Sequence, residues 1–356
     1  MTDYEQKKLN GKTPQEYFKS VCEKYLTDLK YRGVSAMTER NYRNRLALFI
    51  LFWVNRHNGN PSDLPQIEDI EAWRNSLVDN GAKNSTVVQY LHELRYFYNA
   101  VTDEELEDAR MLEKNIVAKR LIPKAEHDKP YDTLLPDELV SKLWDVNNVI
   151  ERSGSRWLRN YAIVVMLLST KIRNKELLDL TLADLDFENE EIIIRAGKGN
   201  KTRYVDFPAI AQSAVKLYLH SGIRPSNISD DAPLFGTTAE HRYGGVCKGV
   251  EEWHRGTTQW LSALVEKHVK KITGVADIRT HDLRHIGARL DLNGRHISME
   301  ELQSELGHSS VNTTQIYSGR LMTRHNRKSA QDVFAERDRC TEYNKKLLAK
   351  YSTPVL

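Results

Sequence analysis

Two histidines, an arginine and a tyrosine cluster between Thr280 and Tyr317. The stretch opens Thr280-His281-Asp282-Leu283-Arg284-His285, continues through Leu306-Gly307-His308-Ser309-Ser310 and closes on Thr314-Gln315-Ile316-Tyr317. A tyrosine hydroxyl is a nucleophile, a histidine moves protons near neutral pH, and an arginine grips a phosphate with two parallel hydrogen bonds. Together these types imply phosphoryl transfer through a covalent tyrosine intermediate. Upstream stands Ser169-Thr170-Lys171-Ile172-Arg173-Asn174-Lys175-Glu176, where Glu176 follows Arg173 by one helical turn and can buttress it. Between the two lies Gly197-Lys198-Gly199-Asn200-Lys201-Thr202-Arg203. It is not a phosphate-cradling P-loop, because Asn200 rather than glycine precedes Lys201-Thr202.

These boxes, in this order, resemble those of the tyrosine recombinases, the phage-integrase family, in an Xer-like or mobile-element form. That family carries a T-G-L-R-x-x-E-like box, a G-K-G-x-K β-turn, an H-x-L-R-H box, an L-G-H box and a tyrosine shortly after. The resemblance implies catalytic roles for Arg173, Lys198, His281, Arg284, His308 and Tyr317, with Glu176 in support. It selects Lys198 over Lys201, and it suits Tyr317, nine residues after His308. Arg173 and Arg284 would clamp the charge that grows on the attacked phosphate. Lys198 would protonate the leaving 5′ oxygen. His281 would move the tyrosine proton and His308 would bind the phosphate, because a hydroxyl with a pKa near ~10 needs help at neutral pH. His285 is expected to be a buried structural histidine. Lys171-Ile172 depart from the family's glycine and leucine; a phosphate contact is a role open to Lys171.

The resemblance implies a site-specific recombinase working through a 3′-phosphotyrosine, with neither metal nor other cofactor. It would integrate or excise a mobile element, or resolve DNA. Its partners would be duplex DNA with inverted half-sites, three further copies in a tetramer coupled by the C-terminal helix, and accessory DNA-bending proteins. Two rivals are a type IB topoisomerase and a DNA-binding relic without activity.

The rest of the chain must position these groups. Its 356 residues suggest two domains, and 40% hydrophobic residues suffice for substantial cores. A net charge of +3 is compatible with nucleic acid without singling it out. Cys22, Cys247 and Cys340 are too scattered for a zinc module or a disulfide framework. The polar start Met1-Thr2-Asp3-Tyr4-Glu5 and the shortness of the apolar run Leu46–Val54 point to a cytoplasmic protein without a membrane span.

The expected fold is mainly α: a helical core-binding, SAM-like bundle over residues 1–118, a linker over 119–135, a mixed α/β catalytic domain with a small antiparallel sheet over 136–330, and a tail helix over 331–356. Helical spacing predicts helices from Pro14, from Ser35 to Trp53, from Ile67 to Val78 and from Ser85 to Val101, then an acidic helix from Glu104 to about Ile116. Thr38, Arg40, Tyr42, Arg43, Lys83, Asn84, Ser85, Thr86 and Gln89 cluster near helix starts as candidate phosphate contacts, joined later by Lys201 and Arg203. Prolines at 123, 130 and 136, without glycine, predict an extended linker. Glu191–Arg195 and Thr202–Phe207 read as a β-hairpin, Ala209–His220 and Leu261–Ile272 as helices, and Thr280 with Asp282 as caps for the helix bearing Arg284. Residues 236–256 are loop-rich and give no clear pattern.

Overall fold

The structure, a computed structural model, describes residues 9–103, 111–124, 135–150, 156–195, 202–237, 253–295, 297–307 and 324–352. The chain divides into two compact units, Met1–Asp128 and Lys129–Leu356.

Among its described residues the first unit carries helices α1 (Pro14–Tyr31), α2 (Ala36–Arg56), α3 (Ile67–Asp79) and α4 (Asn84–Val101). Local chemistry sets the starts. The Glu16 N–H donates to Thr13 Oγ1 (3.2 Å), and the Thr13 N–H returns a bond to the Glu16 carboxylate (2.9 Å). Ser35 Oγ accepts from the Thr38 N–H at 3.1 Å. The core is aromatic: Phe18 meets Phe49, Trp53 and Phe97 edge-on, at centroid distances of 6.1, 5.5 and 5.8 Å. Each such buried side chain contributes about 1.5–3 kcal/mol. On α4, Val87 rather than the neighbouring Val88 is fully buried.

Two expectations fail here. The described part of the expected acidic helix, from Met111, is not helical. The N–H groups of Met111 and Leu112 both donate to the Val101 carbonyl, and Asn115 takes the Val117 N–H at 2.8 Å. A short amide side chain thus competes with the helical ladder. The described start of the expected linker is not extended throughout either, because a 3₁₀ turn interrupts it. Val117 and Leu121 are buried in the first unit's core, Leu121 within a 3₁₀ turn (Lys119–Leu121), so that core reaches beyond residue 118.

The second unit is built around α6 (Arg156–Thr170), preceded by α5 (Asp137–Trp144). Residues 161–168 of α6 are apolar all round and buried. Next come α7 (Asn174–Asp179), a three-stranded antiparallel sheet of β1 (Leu185–Asp186), β2 (Glu191–Ile194) and β3 (Arg203–Asp206), and α8 (Ala209–His220). Ile192 pairs with Val205 and Ile194 with Arg203. The ends of the unread stretch 236–256 pair as β4 (Gly236–Thr237) and β5 (His254–Arg255). Helices α9 (Thr258–Thr273), α10 (Thr280–Leu290) and α11 (Met299–Leu306) follow, with a π-helical turn Asp291–Arg295 between the last two. Gly287 explains how closely α10 approaches α6: a Cβ there would stand 2.1 Å from the Leu168 carbonyl oxygen.

Helix α12 (Arg324–Ser352) begins upstream of the expected tail helix. Its apolar stripe packs on its own unit, with Ala330, Val333 and Cys340 in the core. The buried Asn344 amide donates to Tyr161 Oη (3.0 Å) and Ser213 Oγ (3.1 Å). Of the stripe's residues, Val333 lies in the core of its own unit, while Tyr343 and Tyr351 are exposed. Among the described residues no helix is long and apolar enough to cross a membrane.

Candidate active site

Arg173 sits at the N-cap of α7, directly after the chain leaves α6. One turn on, Glu176 receives its backbone N–H at 2.7 Å and its Nη1 at 2.9 Å. Arg173 Nη2 donates to the Gly307 carbonyl at 2.7 Å. Arg284, on α10, is 2% exposed; it donates to the Lys171 carbonyl through Nη1 and to the Leu306 carbonyl through Nη2, the latter at 2.7 Å. Both guanidiniums thus satisfy carbonyls at or just past helix ends, which no intrahelical N–H can reach. Gly307 makes the arrangement at α11 possible. Its φ is +60°, and a Cβ there would press on the Arg203 guanidinium at 3.1 Å.

Arg203 departs from expectation. Placed from sequence on the DNA backbone, it instead forms a bidentate pair with Glu176, at 2.8 and 2.9 Å. The reason is its register: it opens β3, opposite Ile194, where the sheet runs against α7. Glu176 therefore holds two arginines. Burial alone would raise its pKa, but the hydrogen bonds from Arg203 and from the Arg173 backbone outweigh it and bring the value down to about 2. Three guanidiniums against one carboxylate leave a positive surplus. Arg173 is the most open of them, at 27% side-chain exposure.

His281 opens α10 with an exposed edge, its other side facing His285 at a centroid distance of 4.3 Å. Partial desolvation, then the guanidinium of Arg284, lower its pKa, against an opposing effect of Asp282. His285 is buried. Of the two expected caps only Asp282 caps, accepting the Arg279 N–H at 2.8 Å. Thr280 is instead the first helical residue, and its hydroxyl takes a bond from Asn174 at 2.6 Å, which ties α10 to α7.

Lys171 also corrects its reading. Its ammonium is buried, paired with Asp291 and with Glu305 at 2.9 Å, so it makes no phosphate contact. Its φ is +56°, a left-handed conformation costing a non-glycine residue about 1–2 kcal/mol. Glycine adopts this geometry freely.

Lys198, Lys201, His308 and Tyr317 lie outside the described residues. In sequence His308 follows Gly307 directly, and Lys198 falls between β2 and β3. In the first unit, Arg40, Lys83, Ser85 and Gln89 are exposed, with Gln89 bonded to Glu93 at 2.9 Å. Arg43 pairs with Glu23 (2.8 Å) and Glu39 (3.1 Å). The Thr38 hydroxyl shares a bond with Ser35, Asn84 donates to the Lys124 carbonyl, and Thr86 is half-buried. The Tyr42 ring is half-buried edge-on to Tyr25, which makes it part of the bundle's packing as much as a surface contact. Asp291, Arg295 and Glu305 were missed, and nothing in their spacing signals them.

A helical bundle followed by a mixed domain with an arginine cradle is the build of an enzyme that cuts and rejoins DNA. Residues 135–324 match the phage integrase family, and residues 6–108 match the phage integrase N-terminal SAM-like domain. The chain belongs to the phage integrase family and is a tyrosine-type site-specific recombinase. It is similar to the tyrosine recombinase XerC of Oceanobacillus iheyensis, 28% identical over 290 residues that cover 80% of this chain and 86% of the relative. The XerC of Bacillus subtilis is 27% identical over 250 residues, 70% of this chain and 75% of the relative. In fold the chain is similar to XerH site-specific recombinase bound to a palindromic difH substrate (TM-score 0.62, 23% identity, covering 86% of this chain and 81% of that one). It is likewise similar to the Tn1549 transposon integrase in complex with circular intermediate DNA (TM-score 0.61, 21% identity, covering 86% and 98%).

Proposed function

We propose that Tyr317 attacks the scissile phosphate, forming a 3′-phosphotyrosine bond and breaking the bond to the 5′ oxygen. The carrying observation is the convergence of Arg173 and Arg284 on the carbonyls of Gly307 and Leu306, immediately before His308. In this reading both guanidiniums take the charge on the non-bridging oxygens. His281 accepts the tyrosine proton, Lys198 gives a proton to the departing 5′ oxygen, and His308 binds the phosphate. Attack by a 5′-hydroxyl on the phosphotyrosine then reseals the strand and frees the tyrosine. Glu176 fixes Arg173 and Arg203. The exposed Arg40, Lys83, Ser85 and Gln89 meet the DNA backbone, with Lys201 on the turn beside Lys198. The substrate is a duplex with inverted half-sites held by four copies, with strands exchanged in pairs. The recombined DNA is a mobile element being integrated or excised, or joined DNA being resolved.

The test is covalent capture. The protein would meet nicked duplexes from DNA flanking its own gene, in EDTA, and SDS-resistant adducts would be digested for mass spectrometry. A sequence-dependent adduct with a nucleotide on the Tyr317 peptide is expected. Adducts on any DNA would instead indicate a topoisomerase, which the match to the integrase SAM-like domain disfavours. Folded protein that binds DNA and yields no adduct would indicate a relic.

The lowered pKa of His281 carries a further expectation. Its neutral form, the proton acceptor, persists below the ordinary 6.5. Single-turnover cleavage should therefore stay level from neutral pH to below that value before it falls. In His281→Gln the rate should be low and this acidic limb absent. A wild-type limb centred above 6.5 would contradict the assignment.

A further inference from the structure

We infer that Lys171 is a positioning residue for the arginine cradle, acting through a buried ion cluster with Asp291 and Glu305. This rests on the recombinase reading of the site. Lys171 is 2% exposed, stands two residues before Arg173, and lends its own carbonyl to Arg284. Its ammonium reaches Asp291, which directly follows the helix carrying His281 and Arg284. It also reaches Glu305, which immediately precedes Leu306 and Gly307, the two residues whose carbonyls anchor Arg284 and Arg173. One buried amine therefore ties together the three segments that carry the cradle. Arg295, on the π-helical turn, completes the cluster at 3.5 Å from Asp291 and 3.6 Å from Glu305. Arg295 also pairs with Asp206 at 3.4 Å, so two cations meet three carboxylates and the cluster adds no positive charge to attract DNA.

Two features mark the cluster as a device for placement. The left-handed backbone at Lys171 is one that glycine adopts without strain, so the side chain is held there against the local preference. Burying an ammonium is also unfavourable unless its partners are well placed. Both costs attach to the one peptide whose carbonyl receives Arg284. Displacing a catalytic group by about 1 Å lowers a rate by about a hundredfold, and this tie limits such displacement.

The experiment compares Lys171→Met, Glu305→Gln and the double variant with the wild type on nicked duplex. It reads DNA affinity and, at saturating protein, the single-turnover rate of adduct formation. Each single variant should bind DNA within about twofold of the wild type yet cleave about 10- to 100-fold more slowly. The double variant should be no slower than the worse single, because both changes break one unit. Lys171→Gly, which adopts the backbone freely, stands in should the methionine variant fail to fold, and should show the same split. Wild-type rates in the variants, losses that follow DNA affinity, or losses that multiply in the double variant would each overturn the inference. A wild-type protein that forms no adduct would overturn the recombinase reading itself.

Discussion

Arg284→Lys should cleave DNA about a thousandfold more slowly than the wild type while binding duplex with little change. The expectation follows from the way Arg284 is held. It is almost wholly buried, and two of its N–H groups are committed to carbonyls of separate segments, Lys171 and Leu306. A guanidinium makes these bonds from a rigid, planar fork of donors. An ammonium is a point donor on a flexible stem and cannot hold both carbonyls in a fixed plane. The proposed duplex contacts at Arg40, Lys83, Ser85 and Gln89 lie elsewhere, so affinity should survive where the transition-state charge is no longer met. Single-turnover adduct formation, read beside a gel-shift titration, checks this. A loss below about tenfold would mean that Arg284 does not meet the charge that develops in the reaction.

Glu176→Gln has the second large effect, and it acts on stability as well as rate. The carboxylate takes bonds from the Arg173 N–H, from Arg173 Nη1 and from both terminal nitrogens of Arg203. Its folded pKa of about 2 lies below the ordinary 4.5. A depressed carboxylate stabilises the fold fully above its unfolded pKa, and that contribution fades as pH falls from about 4.5 towards 2. The shift corresponds to about 3 kcal/mol at neutral pH. In Glu176→Gln the carboxamide keeps the shape and loses the charge, so the urea midpoint should drop clearly at pH 7. The gap from the wild type should shrink towards pH 3. Cleavage should slow as well, because Arg173 loses its brace. Equal gaps at both pH values would show that the carboxylate charge is not what holds the two arginines.

Much of this was legible in the sequence because it is local. The spacing of Arg173 and Glu176 announced a pair one turn apart, and that pair forms. Ala209–His220 is helical between the expected ends, and the Ile192–Ile194 strand pairs back on Arg203–Val205. Periodicity and turn chemistry reach that far. They do not reach partners set by tertiary packing. Lys171 and Asp291 are 120 positions apart, and nothing near either one announces the other. Arg203 looked like a phosphate contact because a basic residue on a hairpin usually faces solvent. Only the fold brings it within reach of Glu176, 27 positions upstream. Met111–Ile116 failed for the opposite reason: the composition suits a helix, but Asn115 diverts the backbone bonds.

The C-terminal helix has a genetic consequence. Asn344 spans Tyr161 and Ser213, on α6 and α8, so the stretch of gene encoding α12 specifies a structural wall of the catalytic unit. An allele shortened to before Asn344 would strip cover from α6, whose residues 161–168 are apolar all round. Its product would be cleared by proteolysis before it could occupy DNA. Such alleles should therefore be recessive nulls, and they would not poison the assemblies of an intact copy.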